Sequence, residues 1–199
     1  MSDVKIAIIY HSGYGHTARQ AQAVGKGAAA VDGTEVLLLS VEEATTRWDD
    51  IETADAIIFG APTYMGSASA GFKAFMDATS SAVFAKGGVW RDKIAAGFTN
   101  SASRSGDKLE TMIQLAIFAA QHGMHWVNLG LPPGNNSSKG SEEDLNRLGF
   151  FLGAGAQSNA DEGADVAPPA ADLRTAEYLG RRVAETTAQF VRGRLVLTA

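Results

Sequence analysis

Six residues near the amino terminus have the types and spacing of an anion-binding loop. Two glycines lie between a serine and a threonine, in the order Ser12, Gly13, Tyr14, Gly15, His16 and Thr17. The glycines would let the backbone approach an anion closely, and both hydroxyls could donate hydrogen bonds to it. A helical apolar pattern follows at once, and the first N–H groups of a helix lack intrahelical partners. The loop therefore predicts a phosphate site.

This loop is compatible with more than one kind of ligand. Residues 13–18 fit the relaxed dinucleotide pattern G-x-G-x-x-G/A, but the next predicted strand ends near Ser40, where a dinucleotide site needs an acidic residue. A Walker-type G-x-x-x-x-G-K-[ST] is missing from the sequence. Hydroxyls at both ends suit a terminal phosphate monoester with three oxygens. We favour a mononucleotide such as FMN, with a dinucleotide or an ordinary turn as alternatives.

Two more polar loops follow predicted strands and could wrap the same ligand. Proline fixes one dihedral angle in the first of them, glycine permits close approach, and the tyrosine and methionine offer surface to an aromatic ring. This first loop contains Pro62, Thr63, Tyr64, Met65 and Gly66. The second loop is rich in hydroxyl and amide side chains and contains Thr99, Asn100, Ser101, Ala102, Ser103, Arg104 and Gly106.

The predicted strands and helices that position these loops alternate in an α/β pattern. Predicted strands at residues 4–10, 35–41, 56–60, 93–99 and 126–129 alternate with helical segments. Their continuous apolar runs are typical of parallel strands covered on both faces, in a doubly wound sheet. Ligands of such sheets bind beyond the carboxyl ends of the strands. All three loops are therefore expected to meet at one site.

The remaining helices and the long connection complete the organisation of the chain. Helices are predicted at residues 70–80, 107–122 and 172–192, the middle one with an apolar stripe through Leu109, Met112, Ile113, Ala116, Ile117 and Ala120. Residues 130–171 form a long Gly-, Pro- and Ser-rich excursion in which only 141–148 looks helical, and the apolar segment 149–153 is expected to dock. We predict one domain spanning residues 1–199.

Composition limits the possible partners. The 199 residues carry a formal charge of −5, which argues against nucleic acid or an anionic membrane as the main partner. No apolar run reaches the roughly 18 residues that a membrane span needs. Cysteine is absent, and the four histidines show no metal-ligand spacing. We therefore predict no metal and a cytoplasmic location.

Four segments together resemble a known family. They are Y-x-S-x-Y-G-H-T at residues 10–17, A-P-T-Y-M-G-S at 61–67, F-K-A-F-M-D at 72–77 and Q-H-G-M at 121–124. The chain resembles the flavodoxin-like FMN-binding proteins and is most similar to the WrbA-type NAD(P)H:quinone oxidoreductases, in a short form lacking their insertion after the second strand. The resemblance implies a five-stranded parallel sheet of order 2-1-3-4-5, one FMN per subunit and a homo-oligomer, either a tetramer or a dimer.

The resemblance also implies roles for individual residues. Residues 12–17 would hold the FMN phosphate, the loop at 62–66 would line the isoalloxazine, and residues 99–106 would form a third wall. Tyr14 and Phe84 match positions on the substrate side. His122 could act on the flavin of a neighbouring subunit, although a cation at a helix end is an equally good explanation. The chain departs from the family at Tyr64, where an arginine is usual, and at Gln121, where a histidine is usual.

The resemblance and the loop residues together predict that the protein is an FMN-dependent NAD(P)H:quinone oxidoreductase. Hydride would pass from NAD(P)H to FMN and then to a quinone in a two-electron, ping-pong cycle, with the flavin supplying the chemistry. Three alternatives remain open: a flavodoxin that carries electrons, a flavin reductase that supplies reduced FMN to a monooxygenase, and a flavin-bound regulatory protein.

Overall fold

A parallel β-sheet forms the centre of the computed structural model, which describes residues 4–197. The strands are β1 (Val4–Tyr10), β2 (Thr34–Ser40), β3 (Ala56–Tyr64), β4 (Ser67–Ala68), β5 (Ile94–Ser101), β6 (His125–Trp126) and β7 (Ala154–Gln157). The helices are α1 (His16–Ala29), α2 (Val41–Ala44), α3 (Trp48–Glu52), α4 (Ala70–Thr79), α5 (Lys108–Gln121) and α6 (Ala170–Leu197), and a π-helical turn, Ser80–Phe84, extends α4.

The strand order confirms the predicted flavodoxin-like topology. Parallel strands lie in the order β2-β1-β3-β5-β6, which is the expected 2-1-3-4-5 because β5 and β6 are the fourth and fifth predicted strands. The register places Ile6 beside Ala56, and Ala56 beside Ile94. All of these strands therefore end at the same edge of the sheet, where the three polar loops follow them.

The strand bounds and the strand number differ from the prediction in two places. The third strand continues to Tyr64 and then turns back into β4, so part of the expected loop is strand. The expected strand 126–129 is only the two-residue β6, and β7 takes over the remaining length of β5 from Phe98 onward. Residues 127–153 are therefore an insertion within the fifth strand position.

Two apolar layers cover the sheet, as the alternation of side chains along a strand requires. Ile6 and Ile8 pack on one face with α1 and α6, whereas Ile9 packs on the other face. The second layer is rich in aromatic rings, among them Phe59, Phe72, Phe75, Trp90 and Phe118. Both layers place helix amino termini at the loop edge of the sheet.

The helix predicted at residues 107–122 is confirmed as α5, but the apolar stripe that predicted it is not the face that packs on the sheet. Met112 is buried, but Leu109, Ile113 and Ile117 are exposed, and Leu115 and other residues on the opposite side face the sheet. Apolar residues occur nearly all around this helix, so their spacing could not distinguish the buried side from the exposed one.

The predicted helix at residues 141–148 is also wrong, because this segment is a series of turns. Asn146 has a φ of 49°, and its side chain donates to the carbonyls of Leu131 and Phe150. Such side-chain hydrogen bonds to the backbone compete with helix formation. The segment docks through a buried ion pair in which Arg147 donates to Asp172 at 2.8 and 2.9 Å.

Candidate functional site

The predicted phosphate loop lies between β1 and the amino end of α1. Gly15 has a φ of 88°, in the left-handed region that favours glycine. The Ser12 hydroxyl accepts a hydrogen bond from the Ala18 N–H at 3.1 Å, so Ser12 caps the helix from outside it. The N–H groups of His16 and Thr17, the first two of the helix, have no intrahelical acceptor. Together with the two hydroxyls they form a cradle for an anion.

The second wall is the hairpin formed by β3 and β4. Met65 and Gly66 make its turn with φ values of 48° and 84°, and the Met65 side chain is fully exposed. Tyr64 lies over the phosphate loop, because a Cβ at Gly13 would be 2.8 Å from the Tyr64 hydroxyl oxygen. The ring of Tyr14 meets Tyr64 edge-on at 6.0 Å. Burial raises the pKa of Tyr64, so its phenol stays neutral.

Three buried threonines support this hairpin from below. The Thr63 Oγ1 lies 2.8 Å from both Thr99 Oγ1 and Thr111 Oγ1. Thr99 also donates to the Ala61 carbonyl at 2.6 Å. This hydroxyl chain joins β3, β5 and α5, so the position of the second wall is tied to the start of the third.

The third wall is the loop that follows β5. Asn100 is buried and donates to the Ser158 hydroxyl at 2.8 Å. Asp107, at the end of the loop, has a φ of 53°, which is costly for a residue with a side chain. Arg104 points away to Glu142, at 2.6 Å. Hydrogen bonds from Arg104 and Arg147 lower the pKa of Glu142.

A fourth wall, residues 158–163, closes the site and was missed from the sequence. It follows β7, and His16 Nε2 lies 2.8 Å from the Glu162 carbonyl oxygen. Arg19 also holds the end of this segment, through a hydrogen bond to the carbonyl of Ala164, the residue that follows it. Gly15 approaches it so closely that a Cβ there would lie 2.9 Å from the Ala164 Cβ. The fourth wall and the phosphate loop are therefore in direct contact.

These four walls enclose a cavity of about 910 Å³. Fourteen residues expected from the sequence line it: Ser12, Tyr14, His16, Thr17, Pro62, Thr63, Tyr64, Met65, Gly66, Asn100, Ser101, Ala102, Ser103 and Gly106. Residues not expected there are Asp107, Ser158, Ala160, Asp161, Glu162 and Gly163. Among the described residues no lysine or arginine lines the cavity, so an anion would be held by N–H groups, hydroxyls and the helix dipole.

Five other residues predicted for the site do not line this cavity. Gly13 and Gly15 shape the phosphate loop from behind, and Thr99 supports the second wall. Arg104 is directed to Glu142. Phe84 ends the π-helical turn, exposed and 6.5 Å from the His122 ring, so a substrate role for it stays a prediction.

His122 lies in an aromatic cluster of its own chain. Its ring centre is 5.0 Å from that of Trp90 and 4.9 Å from that of Phe118. Thr79 donates its hydroxyl proton to the Met76 carbonyl, so His122 Nε2, 2.9 Å away, must carry the proton of their shared hydrogen bond. Nδ1 has no partner among the described residues, and burial lowers the pKa of His122. A role on a neighbour's flavin stays a prediction and would require this ring to be uncovered.

The sequence did contain a signal for the fourth wall. The run of small residues at 153–156 precedes polar Gln157, Ser158 and Asn159, which is the same arrangement of strand and polar loop as at the other three walls. Interpreting this run as a strand would have placed the following loop at the carboxyl edge of the sheet.

The fold and this cavity define a flavodoxin-like nucleotide-binding protein. The left-handed Gly15 and the free N–H groups of α1 fit a terminal phosphate, and the cavity is within the ~300–1,000 Å³ usual for cofactor sites. No group of histidine or acidic residues that could hold a metal ion occurs within residues 4–197. Within that same range, no helix combines the length and apolar character needed to cross a membrane.

Comparisons with known proteins identify the family. A family model described as NADPH-dependent FMN reductase matches residues 40–132. Flavodoxin FldP of Pseudomonas aeruginosa is 45% identical over 184 residues, which cover 90% of this chain and 95% of that protein. NAD(P)H dehydrogenase (quinone) of Aromatoleum aromaticum is 31% identical over 218 residues, covering 96% of this chain and 99% of that protein. The crystal structure of the flavodoxin, WrbA-like protein from Agrobacterium tumefaciens has a TM-score of 0.73 and 38% identity, covering 94% of this chain and 99% of that chain.

The chain therefore belongs to the flavodoxin-like FMN-binding family, in its WrbA-like branch. Its cofactor is FMN, and it is an FMN-dependent oxidoreductase. The resemblance stated from the sequence motifs is confirmed.

Proposed function

We propose that the protein oxidises NADH or NADPH and reduces a quinone, with FMN held in the four-walled cavity. When bound, FMN supplies the hydride and electron chemistry, and the protein supplies binding and orientation. The observation that carries the proposal is the size of the cavity, about 910 Å³, with an aromatic mouth at Tyr14. This mouth offers stacking surface to a second flat ring, either nicotinamide or quinone.

The residues of the site have distinct tasks in this proposal. Ser12, Thr17 and the first N–H groups of α1 hold the phosphate. Thr63 and Tyr64 form the wall beside the ring system, and the neutral Tyr64 phenol contributes no charge there. Tyr14 is the residue expected to contact the substrate ring. Reduction of a quinone to a quinol by NAD(P)H also consumes one proton, which solvent can supply at the mouth of the cavity, so no acid–base residue is assigned within it.

The test is an anaerobic titration of the purified flavoprotein. NADH or NADPH should bleach the oxidised flavin spectrum, and benzoquinone should then restore it. A flavin that neither nucleotide bleaches but dithionite does would contradict the proposal.

A second candidate function is that of an electron carrier, because the relative with 45% identity is named a flavodoxin. The same titration separates the two, since a carrier exchanges electrons with a protein partner rather than with a nicotinamide. A flavin reductase is the third candidate, in line with the description of the matched family. It would treat FMN as an exchangeable substrate and would lose it on desalting.

We further propose that the protein is a homo-oligomer, a dimer or a tetramer, joined through the exposed side of α5. Leu109, Ile113 and Ile117 recur every fourth residue, so they lie along one face of the helix, and they are 54%, 37% and 55% exposed. A contiguous apolar patch of this kind on a helix is typical of an interface. The cytoplasmic location expected from composition stays a prediction.

A further inference from the structure

Lys108 is buried at a position that disfavours a positive charge. It is the first residue of α5, and its side chain is fully buried. A buried ammonium loses its hydration, and at a helix amino terminus it also faces the positive end of the helix dipole. The contacts of this side chain must therefore be favourable enough to offset both effects.

The contacts of the Lys108 side chain connect the first residue of α5 to the end of β5 and to the loop of the third wall. Lys108 Nζ donates to the Ser101 hydroxyl at 2.7 Å and to the Ser103 carbonyl at 2.6 Å. It also lies 5.9 Å from the centre of the Phe150 ring, within reach of a cation–π interaction. Ser101 ends β5 and Ser103 lies within the loop. The ammonium thus fixes the loop between β5 and α5 from the inside.

Apart from Lys108, this loop is held mainly by contacts at the surface: Gln157 donates to the Ala102 carbonyl at 2.9 Å, and Arg104 pairs with Glu142. Residues 102–105 are exposed, and Gly106 and Asp107 are both left-handed, with φ values of 54° and 53°. A left-handed aspartate persists only where its surroundings impose that conformation. Lys108 does not itself line the cavity. Its influence on a ligand must act through the loop.

We propose that Lys108 is a positioning residue for FMN: its ammonium holds the loop at residues 101–107 in the shape that receives the flavin, and the affinity for FMN falls when the ammonium loses its proton. A wall ordered before binding raises affinity, because the ligand does not have to order it. The proposal concerns FMN binding alone and does not depend on which donor or acceptor the protein uses.

The protonation of this side chain changes near neutral pH. Burial lowers the pKa of Lys108 to about 8, while Asp172 on α6 acts to raise it and Arg147 in the insertion acts to lower it. Below that pH the ammonium is intact, and above it the neutral amine makes weaker hydrogen bonds. The phosphate of FMN, whose second pKa is about 6, does not change charge in this range.

The experiment measures the dissociation constant of FMN from the flavin-free protein by flavin fluorescence, between about pH 7 and 9.5. For the wild type, the dissociation constant should rise several-fold with a midpoint near the Lys108 pKa of about 8. Lys108→Met removes the charge and both hydrogen bonds at similar volume. It should raise the dissociation constant about tenfold at pH 7, which is the loss of affinity expected when one to two hydrogen bonds are removed. It should also abolish the change in the dissociation constant near pH 8.

Lys93 offers a matched control. Its ammonium also makes two hydrogen bonds, in this case to the carbonyls of Glu52 and Ala54, and burial also lowers its pKa. It lies before the first residue of β5, at the opposite end of that strand from the site. Lys93→Met should therefore keep the wild-type dissociation constant and its pH dependence, whatever it does to stability.

A flat wild-type profile would overturn the proposal. So would a folded Lys108→Met variant, checked by circular dichroism, that binds FMN as the wild type does at every pH. If Lys108→Met does not fold, Lys108→Gln takes its place, because it keeps a neutral donor. Its dissociation constant at pH 7 should be several-fold above that of the wild type, because the charge is lost, and should show no change near pH 8. A wild-type value and pH profile would overturn the proposal.

Discussion

At the scale of single residues, the proposed phosphate cradle contains two hydroxyls with different surroundings. The Ser12 hydroxyl oxygen already accepts the Ala18 N–H, so its proton is available to a phosphate. Thr17 is buried beside it in the first turn of α1. In the proposed site, loss of the Ser12 hydroxyl would remove a helix cap as well as a hydrogen bond to the phosphate, whereas loss of the Thr17 hydroxyl would remove only a hydrogen bond to the phosphate.

Substitutions of Ser12 and Thr17 should therefore differ in their effects on FMN affinity and on protein stability. Ser12→Ala should lower the free energy of unfolding of the flavin-free protein by about 1 kcal/mol, the usual value of a helix cap. Thr17→Ser keeps the hydroxyl and serves as the control for Thr17→Ala. Each alanine variant should raise the dissociation constant of FMN about tenfold, as expected for one charge-assisted hydrogen bond. A double alanine variant that retains a full complement of flavin through dilution would show that the phosphate lies elsewhere.

His122 gives a prediction about pH. Its folded-state pKa lies below the unfolded value of about 6.5 because burial disfavours the charged ring. As the pH falls through 6.5, the unfolded chain takes up a proton before the folded one does, so the free energy of unfolding decreases. Above about pH 6.5, the contribution of the neutral His122 ring to the free energy of unfolding is fully present.

Urea unfolding at pH 7.5 and 5.5 measures the effect. The decrease in the free energy of unfolding between these values should be smaller in His122→Gln than in the wild type. The comparison isolates His122, because the other histidines are common to both proteins. Equal decreases in the two proteins would contradict the buried, neutral ring.

At the scale of elements, α1 and α6 approach each other backbone to backbone. A Cβ on Gly27 would lie 1.8 Å from the Glu177 carbonyl oxygen, and one on Gly180 would lie 1.9 Å from the Val24 carbonyl oxygen. Neither atom can move without displacing a helix. These two glycines therefore set the distance between the helices.

Gly180→Ala should lower the free energy of unfolding by at least about 2 kcal/mol, as expected when a core is overpacked. Gly193 lies in the same helix with open space around it. Gly193→Ala should instead raise the free energy of unfolding by roughly 0.5 kcal/mol, because alanine is the better helix former. Chemical denaturation tests both, and equal effects of the two substitutions would contradict the close approach.

The sequence predicted the elements that repeat a simple pattern and missed those set by tertiary contacts. Four of the five strands follow from continuous apolar runs, and the phosphate loop follows from its glycines and hydroxyls. The fifth strand was predicted at residues 126–129 but is the two-residue β6, and the four-residue β7 was not predicted, because neither is long enough to show a period. Residues 141–148 have helical spacing, but the left-handed Asn146 and the Arg147–Asp172 ion pair impose turns.

The residues of the site show the same difference between sequence pattern and tertiary contacts. Loops next to a recognised strand were found, and the loop at residues 158–163 was missed together with its strand. The burial of Lys108 could not be read from its position in the sequence, because a lysine at a helix start normally extends into solvent.

At the scale of the whole molecule, the exposed stripe of α5 predicts self-association. Ile117→Glu places a charge in the middle of that stripe, and Val196→Glu places one at another exposed apolar residue, in the last turn of α6. Sedimentation velocity at micromolar concentration should show an oligomer for the wild type and for Val196→Glu. Ile117→Glu should sediment as a smaller species. A monomeric wild type, or an unchanged Ile117→Glu oligomer, would contradict this interface.

In the proposed reaction, one cavity serves the nicotinamide and the quinone in turn. Initial rates measured over a matrix of NADH or NADPH and benzoquinone concentrations test it most directly. If the two substrates occupy the same face of the site one after the other, double-reciprocal plots should be parallel, and each substrate should inhibit competitively against the other at high concentration. Intersecting lines would show that both bind together, and the absence of turnover with either nucleotide would contradict the proposed activity itself.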